Sequence, residues 1–155
     1  MAKRIDYVRV APDAVKALSA TRPYLAASAI EPRLRALVEL RVSQINGCAY
    51  CVDLHSHEAR RAGEAQQRLD CLPVWRETPF FADRERAALA WAESVTLVPQ
   101  TGVPDAVFED ARRHFSEKDL VDLTLVIASM NAWNRIAISF RQAPSHRAAS
   151  YAPPS

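Results

Sequence analysis

The sequence predicts an all-α fold, and three observations support this prediction. Apolar residues recur at intervals of three and four along several segments, as they do on one face of a helix. Prolines and small polar residues stand where such segments begin, and Gly is scarce, at three residues. The chain shows no convincing alternation of apolar and polar residues of the kind that is typical of strands. We expect one domain over residues 1–155, with its core in 20–143 and a loose tail at 145–155.

The N-terminal part of the chain predicts only short elements. Residues 1–10 are expected to form an extended arm. Pro12 and Asp13 then open a short helix, because proline suits the first helical position and an acidic residue suits the first turn. We expect a break at residues 21–23 and a second short helical piece at 24–29.

The central part of the chain predicts two helices joined by a tight turn. Apolar spacing indicates a first helix from about residue 33 to residue 44. The Asn-Gly pair at 46–47 favours a turn, since both residues tolerate positive φ. Residues 49–62 contain neither glycine nor proline, and Gly63 is a suitable residue to follow a helix. The second helix therefore begins at the CxxC motif.

The start of this second helix carries the residues that indicate chemistry. Cys48 and Cys51 are three residues apart, a spacing that places Cβ atoms roughly 5–6 Å apart on a helix, whereas a disulfide requires about 3.5–4.5 Å. The adjustable first turn can close that gap. A helix N-terminus lowers the pKa of a cysteine thiol, and His55 lies on the same face, where it can transfer protons. The pattern predicts a redox-active dithiol.

Two other interpretations of the motif remain open. The same cysteines and His55 form a structural zinc site if His57 or Cys71 completes a tetrahedral set, although no second CxxC or HxxxH follows. Alternatively, both cysteines are buried and inert. A c-type haem site is excluded, because Val52 stands where that site needs histidine. A thioredoxin-like site would need a βαβ pattern, which we do not find.

The remaining chain predicts four helical segments, at residues 64–72, 83–97, 104–115 and 117–142. Residues 99–103 are expected to form a loop, and Asp83 and Ser116 to act as N-caps. The last helix is apolar on most sides, which indicates a central position or one between subunits. Asn131 and Asn134 on this helix are expected to make structural hydrogen bonds.

One cysteine and three aromatic side chains lie between Gly63 and Asp83. We expect Cys71 to be a small buried side chain rather than a third redox group. Trp75, Phe80 and Phe81 surround Pro79 and are assigned to core or subunit-interface packing. A second interpretation has some of these aromatic rings lining an apolar entrance to the dithiol.

Composition narrows the classes of function. The formal charge is 20 − 18 = +2, too near neutral to indicate nucleic acid or an anionic membrane as a partner. The first ten residues lack the apolar region of a signal peptide, and no apolar run approaches 18 residues. An odd cysteine count with a single CxxC suits a reducing compartment. We expect a cytoplasmic protein, and the redox interpretation requires no cofactor and no metal.

Two stretches resemble the carboxymuconolactone decarboxylase superfamily: LRVSQINGCAYCVDLHSHEARRAGE and RLDCLPVWRETPFFADRERAALAWAESVT. The closest similarity is to the alkyl hydroperoxidase D-like branch that keeps CxxCxxxH. The likeness runs from about Leu34 to Val98, with a weaker match near residues 133–135. It implies an all-helical homo-oligomer (dimer, trimer or hexamer) and thiol-dependent reduction of hydroperoxides. It also implies a dithiol protein of the lipoyl or thioredoxin type as the reductant.

The resemblance also implies roles for individual residues. Cys51 would be the thiolate that attacks the peroxide, Cys48 the resolving thiol, and His55 part of a proton relay. The family motif has a glutamate twelve residues before the first cysteine, where this chain has Ala36, so Glu39 on nearly the same helical face is the nearest candidate. Members without the cysteines include lactone decarboxylases. A decarboxylase or isomerase that uses His55 as a base is therefore the alternative within the family, and the retained cysteines favour redox chemistry.

Overall fold

The computed structural model describes residues 2–144, and every regular element within them is helical, as predicted. In chain order the elements are α1 (Tyr7–Val10), α2 (Pro12–Ser19), α3 (Thr21–Ala26), α4 (Pro32–Asn46), α5 (Ala49–Arg61), α6 (Gln66–Cys71), a 3₁₀ helix (Leu72–Glu77), α7 (Asp83–Thr96), α8 (Val98–Thr101), α9 (Asp105–His114) and α10 (Glu117–Ser139). The tail predicted at 145–155 lies outside the described residues.

Helix α4 lies at the centre of the bundle and packs against α5, α7 and α10. Its opposite sides enter two separate apolar clusters. Val38 and Val42 belong to the larger cluster, which also contains the two cysteines of the CxxC motif. Leu37 and Leu40 belong to the smaller one. Burial of each such side chain stabilises the fold by about 1.5–3 kcal/mol, so α4 is the element that fixes where α5 and its cysteines lie.

The Asn-Gly turn between α4 and α5 is confirmed. Helix α4 ends at Asn46, and Gly47 adopts the left-handed conformation with φ of 69°. The backbone N–H of Cys48 then donates to the carbonyl of Ser43 at 3.0 Å. No atom lies within 4 Å of the position that a Cβ would take on Gly47. The glycine is therefore required by its backbone angle and not by a lack of space.

A network of side-chain amides ties this turn to α10. The Asn46 amide donates to the side-chain oxygens of Asn131 and Asn134, at 3.0 and 2.8 Å. Asn134 is fully buried and its own amide donates to the Ser43 hydroxyl at 3.2 Å. Buried polar groups need such partners. The prediction of structural hydrogen bonds for both asparagines of α10 is confirmed, and the network holds the end of α4 against the longest helix.

Three prolines were expected to end or interrupt helices, and this expectation is wrong for Pro23 and Pro99, whereas α6 does end at Cys71, before Pro73. Pro23 lies in the first turn of α3, Pro73 in the first turn of the 3₁₀ helix, and Pro99 in the first turn of α8. The first N–H groups of a helix have no acceptor within the helix, so proline, which lacks this group, fits there without loss. For this reason the predicted break at 21–23 is helical, and so are residues 99–101 of the loop predicted at 99–103, whereas residues 102 and 103 are not helical.

Two further boundaries differ from the prediction. The N-terminal arm contains one helical turn, α1, whose first turn is capped by the Asp6 carboxylate. Asp83 is the first residue of α7 and not its N-cap, which is Ala82. The Glu85 carboxylate accepts the Ala82 N–H at 2.8 Å, and this bond satisfies the helix start in place of a capping side chain. Ser116 caps α10 as predicted, with its hydroxyl accepting the Asp119 N–H.

Helix α10 contacts α3, α4, α5, α7 and α9, which confirms its predicted central position. It has 23 residues, and Asn134 and Asp122 are buried along it. Within residues 2–144, no helix combines the length with the apolar character that crossing a bilayer requires.

Candidate active site

The two cysteines of the CxxC motif meet at the start of α5. Cys48 is the N-cap, with extended backbone angles, and its Sγ accepts a hydrogen bond from the Cys51 N–H at 3.3 Å. The side chains are joined as a disulfide, and their Cα atoms are 5.3 Å apart. Both residues are buried, at 1% and 2% exposure. The extended angles of the cap residue bring the first sulfur over the helix end, and this closes the gap that a regular helix would leave.

His55 lies one turn after Cys51 and is buried. Its Nδ1 is 2.8 Å from a carboxylate oxygen of Glu58 and 3.5 Å from one of Glu39. Because a carboxylate only accepts, a hydrogen bond to Glu58 requires the proton on Nδ1. In the neutral ring Nε2 then carries the lone pair and can accept a proton, which is the arrangement that a carboxylate partner imposes on a functional histidine.

The two glutamates beside His55 have opposite electrostatic character. Burial raises the pKa of Glu39, and this effect exceeds the attraction of His55. The hydrogen bond with His55 holds the pKa of Glu58 below its usual range. Glu58 was not singled out from the sequence, although its position three residues after His55 on one helix is the spacing at which side chains meet. Glu39 does lie next to His55, three residues from the position where the family motif has its glutamate.

The difference between these glutamates predicts how stability changes with pH. The pKa of Glu39 in the folded protein is raised above its ordinary value of 4.5, so the neutral acid stabilises the fold at low pH. This contribution is lost as the pH rises through the folded pKa of Glu39. Glu39→Gln mimics the neutral acid, so we expect the variant to melt at a higher temperature than the wild type at pH 7. The difference should shrink towards pH 4. Thermal unfolding of the oxidised protein between pH 4 and pH 8 measures it.

Glu58→Gln is the matched variant with the opposite sign. In the wild type the pKa of Glu58 is lower in the folded than in the unfolded protein, so the charged carboxylate stabilises the fold above pH 4.5. This contribution is lost as the pH falls through the folded pKa of Glu58. This variant should melt at a lower temperature than the wild type at pH 7, by a small amount because the carboxylate is half-exposed. A Glu39→Gln protein that melts below the wild type at pH 7 would contradict the stated cause of its pKa shift.

Three cavities are lined by the two cysteines, His55 and the two glutamates. One, of about 210 Å³, is lined by Cys51, His55 and mainly apolar side chains. A second, of about 330 Å³, is lined by both glutamates and again by His55. Cys48 lines a third, of about 510 Å³, together with Gly47. The two cysteines therefore line different cavities, and His55 lines both the cavity of Cys51 and that of the glutamates.

The zinc set considered from the sequence is not assembled. The two cysteines of the motif are bonded to each other. Among the described residues, the only group of three with ligand atoms close enough for one metal ion is Glu39, His55 and Glu58, which contains no sulfur. The hydrogen bond between His55 and Glu58 already occupies a ligand atom of each, and Arg22 and Arg35 line the same cavity.

Cys71 and the aromatic cluster lie away from the dithiol. Cys71 is a free cysteine and is half-buried, so the prediction of a buried side chain is wrong: it sits on the short helix α6 near the surface. Trp75 and Phe81 are buried in the smaller apolar cluster, with Phe80 packed against it, and this cluster contains neither cysteine of the motif. Their assignment to packing is confirmed, and the entrance interpretation is wrong.

An all-helical bundle with a CxxC disulfide at a helix start defines a class of helical thiol–disulfide proteins. Within this class, the chain belongs to the carboxymuconolactone decarboxylase family, whose model matches residues 12–94. The YdfG protein of Bacillus subtilis is 42% identical over 150 residues, which are 97% of this chain and 99% of that protein.

Two solved structures share the fold. A protein of unknown function from Agrobacterium tumefaciens, for which a role as the antioxidant defence protein AhpD has been suggested, superposes with a TM-score of 0.90 and 43% identity over 93% of this chain and 99% of that one. The alkylhydroperoxidase AhpD core of a peroxidase-related protein from Ralstonia eutropha gives a TM-score of 0.80 and 25% identity over 90% and 74% of the two chains. The expected AhpD-like helical fold is confirmed.

Proposed function

We propose that the protein is a thiol-dependent peroxidase that reduces hydroperoxides with the Cys48–Cys51 pair. The observation that carries this proposal is the disulfide at the start of α5, with the second sulfur and His55 lining one cavity. Two cysteines that lie close enough to form a disulfide at a helix start can cycle between dithiol and disulfide, and the helix start favours the thiolate that both steps require. The names of the two structural relatives support the same chemistry.

In the first step, the Cys51 thiolate attacks the terminal oxygen of the hydroperoxide. The O–O bond breaks, Cys51 becomes a sulfenic acid, and the alkoxide leaves as an alcohol with a proton from the His55 imidazolium. The sulfur is oxidised by two electrons and the peroxide is reduced by two. Glu39 and Glu58 orient the imidazole and hold charge beside it, which makes them positioning residues.

In the second step, the Cys48 thiol releases its proton, and the resulting thiolate attacks the sulfenic sulfur. The S–S bond forms, the hydroxyl group leaves, and with the thiol proton it becomes water. An external dithiol then reduces the bridge by two exchange reactions and is itself oxidised. A lipoyl or thioredoxin-type protein is the proposed donor, in a cytoplasmic setting and with the peroxidase as a homo-oligomer. The hydroperoxide and this donor are then the two partners.

Thiol titration after a single oxidation tests the proposal. Fully reduced protein has three thiols, and one equivalent of hydrogen peroxide should remove two of them, with an intact-mass loss of two hydrogens. Cys71→Ser is the matched control, because it begins with two thiols and should lose both. A reduced protein that keeps all its thiols after treatment with hydrogen peroxide and with an alkyl hydroperoxide would contradict the proposal.

A further inference from the structure

We infer that Arg22 recognises an anionic group on the oxidant, so that the preferred substrates are hydroperoxides with a small apolar body and a carboxylate. This inference rests on the proposed peroxidase function and adds a substrate class to it. It is carried by the lining of the cavity at Cys51 and by the position of one guanidinium group.

The cavity that Cys51 lines has apolar walls together with uncharged polar groups of Tyr7, Ser19 and Tyr50. Its apolar walls come from Val8, Val15, Leu54, Met130, Trp133 and Ala137. Its volume of about 210 Å³ corresponds to about seven water molecules at ~30 Å³ each. Pockets for drug-sized ligands start at about 300 Å³. The cavity therefore fits a short alkyl or single-ring hydroperoxide, and removal of that apolar surface from water favours binding.

Arg22 is the only lysine or arginine that lines this cavity, and no aspartate or glutamate lines it. The residue is on α3 and is exposed, and its guanidinium lies 6.0 Å from the centroid of the Trp133 ring. This contact holds the cation beside the apolar wall. The five N–H donors of a guanidinium match a carboxylate in a two-point geometry. An incoming anion would meet this group with no competing anion in the cavity lining.

The neighbouring carboxylates of Glu39 and Glu58 are the alternative partners of Arg22. Arg22 also lines their cavity, and its charge lowers the pKa of both. However, the ion-pair partner of each glutamate is His55, and neither forms an ion pair with Arg22. Among the described residues the Arg22 guanidinium makes no hydrogen bond or ion pair, and its one recorded contact is with the Trp133 ring. Its attraction to both glutamates therefore acts over a longer distance than direct contact with a bound anion.

The test compares two oxidants that differ only in charge: 4-hydroperoxy-4-methylpentanoate and its primary amide. The second-order rate of thiol loss is measured in reduced protein, in single turnover and without a reductant. We expect the wild type to react about fivefold faster with the carboxylate, the effect of a partly exposed charge-assisted pair. In Arg22→Gln the ratio of the two rates should fall to about one. The ratio is the readout because Arg22 also influences the glutamates beside His55, which affects the rates with both oxidants alike. Arg22→Lys should retain part of the preference, because it keeps the charge but loses the two-point geometry.

Lys16→Gln is the matched control. Lys16 is exposed on α2, adjacent to Val15, and does not line the cavity. Lys16→Gln removes one positive charge, as Arg22→Gln does, and should keep the wild-type ratio of the two oxidation rates. A wild-type ratio near one, or a preference that survives in Arg22→Gln, would overturn the inference while the oxidation by the amide still supports a peroxidase. If neither compound nor hydrogen peroxide oxidises the thiols, the proposed function itself fails, and this inference fails with it.

Discussion

Replacement of Cys51 with serine should lower the rate of peroxide reduction at least about 1,000-fold, the scale seen when an enzyme loses its nucleophile. Serine has nearly the same shape, but its hydroxyl does not ionise at neutral pH and cannot form a sulfenic acid. The measurement is the rate of hydroperoxide loss with dithiothreitol as the reductant. Cys71→Ser removes a sulfur outside the site and should keep the wild-type rate.

Cys48→Ser separates the two sulfur roles when hydroperoxide loss is followed in reduced protein without dithiothreitol, because that dithiol would reduce a sulfenic acid and allow further turnovers. This variant retains the attacking thiolate, so it should consume one equivalent of hydroperoxide and stop at the sulfenic acid, with a mass gain of one oxygen that dimedone converts to an adduct. If Cys48→Ser fails to react and Cys51→Ser reacts at the wild-type rate, the roles of the two cysteines are reversed. If both variants match the wild type, the dithiol is not the reducing group.

Replacement of His55 with glutamine should lower the rate of oxidation about 10²- to 10⁴-fold, the usual contribution of a general acid–base group. Glutamine keeps an N–H that can donate to Glu58, so the carboxylate is not left without a partner. It cannot accept or return a proton near neutral pH. The dependence of the rate on pH should therefore change in shape and not only in height, which a purely structural role would not cause.

His57→Gln is the matched control for this prediction. His57 is on the same helix, two residues further, and is half-buried; it lines neither the cavity of Cys51 nor that of the glutamates. The oxidation rate of His57→Gln should stay within about twofold of the wild-type rate at each pH. Equal losses of rate in His55→Gln and His57→Gln would contradict a specific role for His55 and indicate a general effect on α5.

The sequence predicted the fold and the sulfur pair well because both depend on local rules. Apolar spacing located α4 and α10, and the absence of glycine and proline before Gly63 located α5. The positive φ that Gly47 adopts was expected from an Asn-Gly pair. The position of the CxxC at a helix start followed from the same turn. The main local errors concerned proline, which both opens and ends helices and which here opens them.

The parts of the site that come from distant segments were less predictable. Arg22 reaches the cavity because α3 packs against α10, a contact that no spacing in the sequence encodes. The distance between Glu39 and His55 depends on how α4 and α5 pack against each other, so the positions of the two residues in the sequence did not predict it. Glu58 is different, since its spacing from His55 was visible in the sequence. A search for partners one turn away from each histidine would have found it.

The separation of the two sulfurs between cavities has a kinetic consequence. Cys51 lines the 210 Å³ cavity with Arg22, whereas Cys48 lines the larger one near the turn at Gly47. In the proposed mechanism, a reductant that attacks Cys48 from the cavity that Cys48 lines expels Cys51 as a thiolate, and Cys51 lines the cavity in which the hydroperoxide is proposed to bind. Each turnover would then return the attacking sulfur directly to its own substrate channel, and the alcohol product would not have to leave past the incoming dithiol.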